Sequence, residues 1–300
     1  MKKKTYLFAL MAMVLTLGSC SDNENGIGGE TSKYITVSTS IGNMTRVATD
    51  AKGGQTFEEG DEISVYAWTG DATVAPETSE RVVNNAINKL TNGSWVSTPQ
   101  MLWKNNRDKH YFIGVYPTAA ISDLSAGEYT FDETKQVESD LLVAVNKDGL
   151  SYNVDEQQPV PLTFTHVMAK LAVNLTYKNQ WGGIPTVEKV VVGNAAKEAT
   201  INYLTKVVTP STTAKEDFSL PEITENTKYV SVIIPQEEVT QLTIVIGGKN
   251  FVYDNGTPFK LESGKITTVN LEVGRDEIKL GDVKITNWED GSTFSGEALN

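Results

Sequence analysis

Between residues 167 and 175, Val167, Ala169, Leu171, Val173 and Leu175 alternate on one side of the chain, against Lys170, Asn174 and Thr176 on the other. A period of two commits a segment to extended backbone, because successive side chains of a strand leave opposite faces. One apolar and one polar face predicts a half-buried strand of a sandwich, with Lys170 on the wet side. The same period recurs in Ile35, Val37, Thr39 and Ile41, and in Ile63, Val65 and Ala67, where Tyr66 and Trp68 take the opposite face. Further strands are expected at 111–116, 187–192, 229–234, 242–246, 251–253 and 266–273. Asn92-Gly93 and Asn255-Gly256 mark hairpin turns, since both residue types tolerate positive φ. Residues 80–90 also carry a helical stripe, Val82, Val83, Ala86, Ile87 and Leu90, but are read as extended. The fold class is therefore all-β. At about 150 residues per domain, a chain of 300 suggests two, with the boundary in the polar, Pro-containing stretch 155–161.

The N-terminus has another character. Lys2, Lys3 and Lys4 precede an apolar stretch, residues 6–17, too short to span a bilayer as a stable helix. Leu17-Gly18-Ser19-Cys20 follows and resembles a bacterial lipobox, which makes residues 1–19 a lipoprotein signal peptide cut between Ser19 and Cys20. Acylation of Cys20 would anchor the mature chain, each buried methylene contributing about 0.8 kcal/mol. Residues 20–33, beginning Cys20-Ser21-Asp22-Asn23-Glu24-Asn25, form an acidic tether. That tether is compatible with export to the outer surface of the outer membrane. The expected domains are then 34–160 and 161–300.

Charge and composition exclude several classes. The formal net charge is −12, and loss of the three leader lysines makes it −15, so the basic footprint that nucleic acid requires is missing. Cys20 is the only cysteine, which leaves no disulfide, thiolate metal site or cysteine nucleophile once it is modified. His110 and His166 are the only histidines, and neither belongs to a spaced catalytic or zinc motif. His166, beside the alternating run, reads as a hydrogen-bonded structural residue. Acidic pairs such as Glu58-Glu59 and Glu289-Asp290 read as solvated turns. The five tryptophans are spread along the chain as packing residues rather than gathered into a sugar platform. No catalytic residue, metal site or cofactor is expected, and the chain is not read as an enzyme.

Several short segments, in order, carry a family resemblance: Phe57-Glu58-Glu59-Gly60-Asp61-Glu62-Ile63-Ser64-Val65-Tyr66, Leu102-Trp103, Phe112-Ile113-Gly114-Val115-Tyr116-Pro117 and Ser139-Asp140-Leu141-Leu142-Val143-Ala144. They continue with Leu162-Thr163-Phe164-Thr165-His166-Val167-Met168-Ala169-Lys170-Leu171, Ile233-Ile234-Pro235-Gln236 and Val283-Lys284-Ile285-Thr286-Asn287-Trp288. Behind a lipobox, this series resembles the fimbrillins, subunits of the lipoprotein-derived type V pilus. The resemblance implies two tandem transthyretin-like β-sandwich domains and polymerisation by donor-strand exchange with other fimbrillin subunits. It implies an arginine-specific surface protease, and Met44-Thr45-Arg46-Val47-Ala48 matches the place of its cut, between Arg46 and Val47. The removable strand would carry Ile35, Val37, Thr39 and Ile41. Its loss would leave a sheet edge for an incoming strand.

A donor candidate is the stretch from Glu277 to Trp288, where Ile278 and Leu280, then Val283 and Ile285, alternate across a Gly281-Asp282 irregularity that reads as a bulge, with Trp288 as its last residue. The same segment reads equally well as the last strand of its own domain. The function expected is a surface pilin with a role in adhesion to a host or bacterial ligand. The alternatives are a pilus anchor or tip, and a monomeric surface lipoprotein that binds a glycan or host ligand.

Overall fold

The computed structural model of the protein describes residues 33–42, 56–153, 158–239, 241–254 and 258–288, which are almost entirely strands and their turns. The first eight strands are β1 (Val37–Ile41), β2 (Glu62–Thr69), β3 (Val83–Thr91), β4 (Ser94–Thr98), β5 (His110–Tyr116), β6 (Gly127–Thr130), β7 (Leu142–Leu150) and β8 (Val160–His166). After them come β9 (Ala169–Tyr177), β10 (Val187–Ala196), β11 (Glu198–Asn202), β12 (Val207–Pro210), β13 (Lys215–Ser219), β14 (Glu222–Thr224) and β15 (Lys228–Ile233). The last six are β16 (Gln236–Val239), β17 (Leu242–Ile246), β18 (Lys249–Tyr253), β19 (Phe259–Leu261), β20 (Lys265–Val273) and β21 (Ile278–Asn287).

One seven-stranded sheet has the order β1-β8-β7-β5-β2-β3-β4. Its middle strands are buried on both faces, which is why β2 holds apolar side chains at successive positions. Ile63, Val65 and Ala67 enter one core with Phe112, Ala144, Leu162 and Phe164, while Tyr66 and Trp68 enter a second with Ile113, Val115 and Val143. The first core is enclosed by the curl of the sheet itself. The second continues into the C-terminal half, where β14-β15-β9-β20-β21 packs over β13-β10-β17-β18 as a sandwich.

The halves interlace around the expected boundary at 160/161. β8 begins there yet lies between β7 and β1 in the first sheet. β6 pairs in the other direction, with β11, and Gln136 accepts the Val232 N–H at 2.7 Å. The described residues belong to one compact unit.

Three local outcomes have clear causes. Residues 80–90 are extended from Val83 on, and their helix-like spacing comes from a bulge: β3 slips register against β2 between Val83 and Ala86, with Asn85 at φ 57°, so both apolar residues face inward three positions apart. Asn92 and Gly93 turn β3 into β4 with φ of 52° and 74°, while Asn255-Gly256 lies outside the described residues. The expected wet face of β9 holds toward its C-terminal end, where Asn174 is half-buried and Thr176 exposed, but not at Lys170, which is 2 % exposed because Trp288 lies over it.

β8 side chains pack tightly on Gly114 of β5. A Cβ there would meet Phe164 Cζ at 2.7 Å and Leu162 Cδ1 at 3.1 Å. Gly114→Ala is expected to lower stability by about 1–3 kcal/mol through overpacking, read as a shift in the urea midpoint; a midpoint unchanged from wild type would contradict this packing.

Candidate functional site: the two terminal strands

The seven-stranded sheet curls until its edge strands, β1 and β4, face one another, and residues 33–41 close the seam. Their first part pairs on the β4 side: Tyr34 bridges Leu102, Ile35 N–H donates to Met101 O at 2.9 Å, and Trp103 N–H donates to Lys33 O at 3.1 Å. Their second part pairs on the other side, with β1 running parallel to β8 from Val37↔Val160 to Ile41↔Phe164. Trp95 Nε1–H on β4 donates to Thr39 Oγ1 at 3.0 Å, spanning the gap directly.

Alternation does the rest. Ile35 and Val37 are buried in the enclosed core, and Thr39 and Ile41 are half-buried along it. Phe57 sits edge-on to Trp95, Tyr116 and Phe164 at 5.1 to 5.4 Å. A cleft of about 730 Å³ runs beside β1, bounded also by Phe57, Leu90 and Trp95. Two buried aliphatic side chains contribute about 3–6 kcal/mol at ordinary transfer values. Against a total domain stability of about 5–15 kcal/mol, an empty seam would cost the sheet a large share of its stability.

The C-terminal strand is placed differently. β21 lies antiparallel on β20 at the edge of its sheet, from Val273↔Ile278 to Lys265↔Asn287. Gly281 is the extra residue of a bulge, between the pairs Asn270↔Asp282 and Leu271↔Leu280. Ile278 and Leu280 pack partly on the core. Past the bulge, Val283 and Ile285 are 37 % and 39 % exposed although they alternate as core residues would. Trp288 then turns inward and is 3 % exposed. Its ring stacks on His166 with centroids 4.0 Å apart and planes 7° from parallel, and Lys170 Nζ lies 4.1 Å from its centroid. His166 Nδ1 is 2.7 Å from Asp140 Oδ1, which sets the imidazole plane.

Ser19, Cys20, Arg46 and Val47 lie outside the described residues. Among the described residues no group of three His, Cys, Asp or Glu is arranged to hold a metal, and no helix is long and apolar enough to cross a membrane. Sequence reasoning missed the pairing of 33–35 with 101–103 and the His166–Trp288 stack. Both join segments far apart in the chain and leave no local pattern.

The fimbrillin-like family model matches residues 45–288. A Bacteroides uniformis protein named as a fimbrium subunit, Fim1C, is 25 % identical, over 97 % of each chain. Two crystal structures share the fold. A cell-adhesion protein of Bacteroides uniformis has a TM-score of 0.64 at 19 % identity, over 85 % of this chain and 99 % of its own. One from Bacteroides ovatus has a TM-score of 0.65 at 18 % identity, over 85 % and 98 %.

His110 gives the seam a pH dependence. Its Nε2 accepts the Lys104 N–H at 3.1 Å, which leaves Nδ1–H to donate to Asp108 O, also at 3.1 Å. Burial pushes its pKa below the ordinary histidine value, more than the neighbouring Asp108 raises it. The unfolded chain therefore binds a proton first as pH falls. The neutral ring's contribution is present above the unfolded pKa of about 6.5 and is lost as pH falls through the folded one. Urea midpoints at pH 7 and pH 5 should differ, with the lower midpoint at pH 5, and His110→Gln should shrink the difference. An undiminished difference would show that His110 does not titrate the seam.

Proposed function

The chain belongs to the fimbrillin-like family, and on that premise we propose that it is a structural subunit of a cell-surface fimbrium, polymerised by strand exchange. It is exported as a lipoprotein precursor, acylated on Cys20 and held at the outer membrane. An arginine-specific surface protease cuts between Arg46 and Val47 and removes residues 33–41 with the lipid. The opened seam takes an extended segment from another subunit, and the fibre serves adhesion to a host or bacterial surface.

The observation that carries this reading is the position of residues 33–41 as the piece that joins both edges of one curled sheet. Few strands can leave a sheet and create a single continuous groove. This one would expose hydrogen-bonding groups on two sides, Met101 O and Trp103 N–H opposite the β8 edge, together with the pockets of Ile35 and Val37. An incoming strand with alternate aliphatic side chains refills all of them, as in β-augmentation.

β21 fits that description as donor. Val283 and Ile285 repeat the two-residue spacing of Ile35 and Val37 and are poorly buried on their own subunit. A strand whose apolar residues stay exposed at home gains burial elsewhere. A terminal position in the fibre is the second reading, favoured by β21 lying fully paired on β20, since a subunit at the end need not give its strand away.

The paired substitution Val283→Asp and Ile285→Asp tests the donor assignment. Because both residues are more than a third exposed, stability should change by less than about 1 kcal/mol in urea unfolding. Polymer formation, read as a high-mass ladder in unboiled gels, should be abolished. A normal ladder would remove β21 as donor.

A further inference from the structure

A donor strand parked on its own subunit needs a fastening that can be undone, and burial along the C-terminal segment is concentrated at one point. From 278 to 287 every side chain is exposed or only half-buried, and then Trp288 is 3 % exposed. Its main-chain N–H donates to Gly264 O at 3.1 Å, while its ring lies against His166 and Lys170.

These partners are polar. When an indole leaves an aliphatic pocket it leaves a void, but imidazole, ammonium and the Asp140 carboxylate can take up water once uncovered. Lys170, 2 % exposed beneath the ring, regains hydration on release, which offsets part of the indole's lost burial.

The fastening point also touches the seam. His166 is the last residue of β8, and β8 carries β1 on its free edge up to Phe164, whose carbonyl accepts the Gly42 N–H at 2.7 Å. One strand therefore holds both terminal segments: β1 through its edge and β21 through its end.

We infer that Trp288 is a latch that keeps the C-terminal strand on its own subunit, and that loss of residues 33–41 loosens it through β8 and His166. This rests on the strand-exchange reading and supplies its regulation. An uncut subunit retains its donor strand, and a cut one releases it.

Hydrogen exchange on the full chain tests the latch. In Trp288→Ala the amides of β21 should exchange at least tenfold faster than in wild type, with those of β10 and β17 unchanged. His166→Leu, which keeps side-chain volume but removes the planar stack and the Asp140 bond, should move β21 in the same direction. Cleavage after Arg46 in the wild-type chain should also speed β21 exchange at least tenfold. Unchanged β21 exchange in Trp288→Ala, or equal loss of protection in β10 and β17, would reduce Trp288 to an ordinary core residue. Equal β21 rates before and after cleavage would break the link through β8.

A reversible lock separates this from the strand-exchange reading. Thr268→Cys with Lys284→Cys places a disulfide across the β20–β21 pair. Oxidised, the locked chain should not polymerise after cleavage, and reduction should restore assembly. Assembly of the oxidised form would sink strand donation by β21 itself. A block that reduction relieves, together with unchanged β21 exchange in Trp288→Ala, would overturn the latch alone.

Discussion

A sheet that curls around its own core has a seam, and whatever fills it decides whether the core is closed. Here the filler is a short segment near the N-terminus, paired to 101–103 on one side and to β8 on the other, with Ile35 and Val37 as its keys. The aromatic cluster of Phe57, Trp95, Tyr116 and Phe164 lines the same cleft. His110 holds the 101–104 strip from behind through the Lys104 N–H. The inner faces of β2 and β5, with Ile63, Val65, Ala67 and Phe112, share the core that Ile35 and Val37 close.

That dependence turns a structural element into a functional one. A terminal strand that contributes about 3–6 kcal/mol by apolar burial is stable in place, and on the strand-exchange reading a chemically similar strand takes its place. The site consists of backbone hydrogen-bonding groups and two aliphatic pockets, so its specificity lies in register and side-chain alternation rather than in reactive groups. β21 has the alternation, and its partial exposure leaves it with less to lose than any buried strand would have.

Much of this was legible because period two is a strong local signature. The opposed faces of β2, the Asn92-Gly93 turn and the bulge at Gly281 follow from residue type and spacing alone. What misled was phase. The bulge at Asn85 gives β3 a helix-like spacing, and Lys170 on the polar side of β9 is buried because Trp288 covers it, which nothing local announces. Contacts such as Tyr34 with Leu102 and His166 with Trp288 are set by topology, which side-chain period does not encode. The roles proposed for Arg46 and for the terminal strands come from the fimbrillin resemblance, and no spacing could have given them.

The central claim is that residues before Val47 are removed so that another strand can close the seam. Mass spectrometry of the N-terminus of subunits in fimbriae sheared from the cell surface tests it most directly. The account predicts that assembled subunits begin at Val47. Assembled subunits that all begin at acylated Cys20 would contradict it, because the seam would then still hold its original strand.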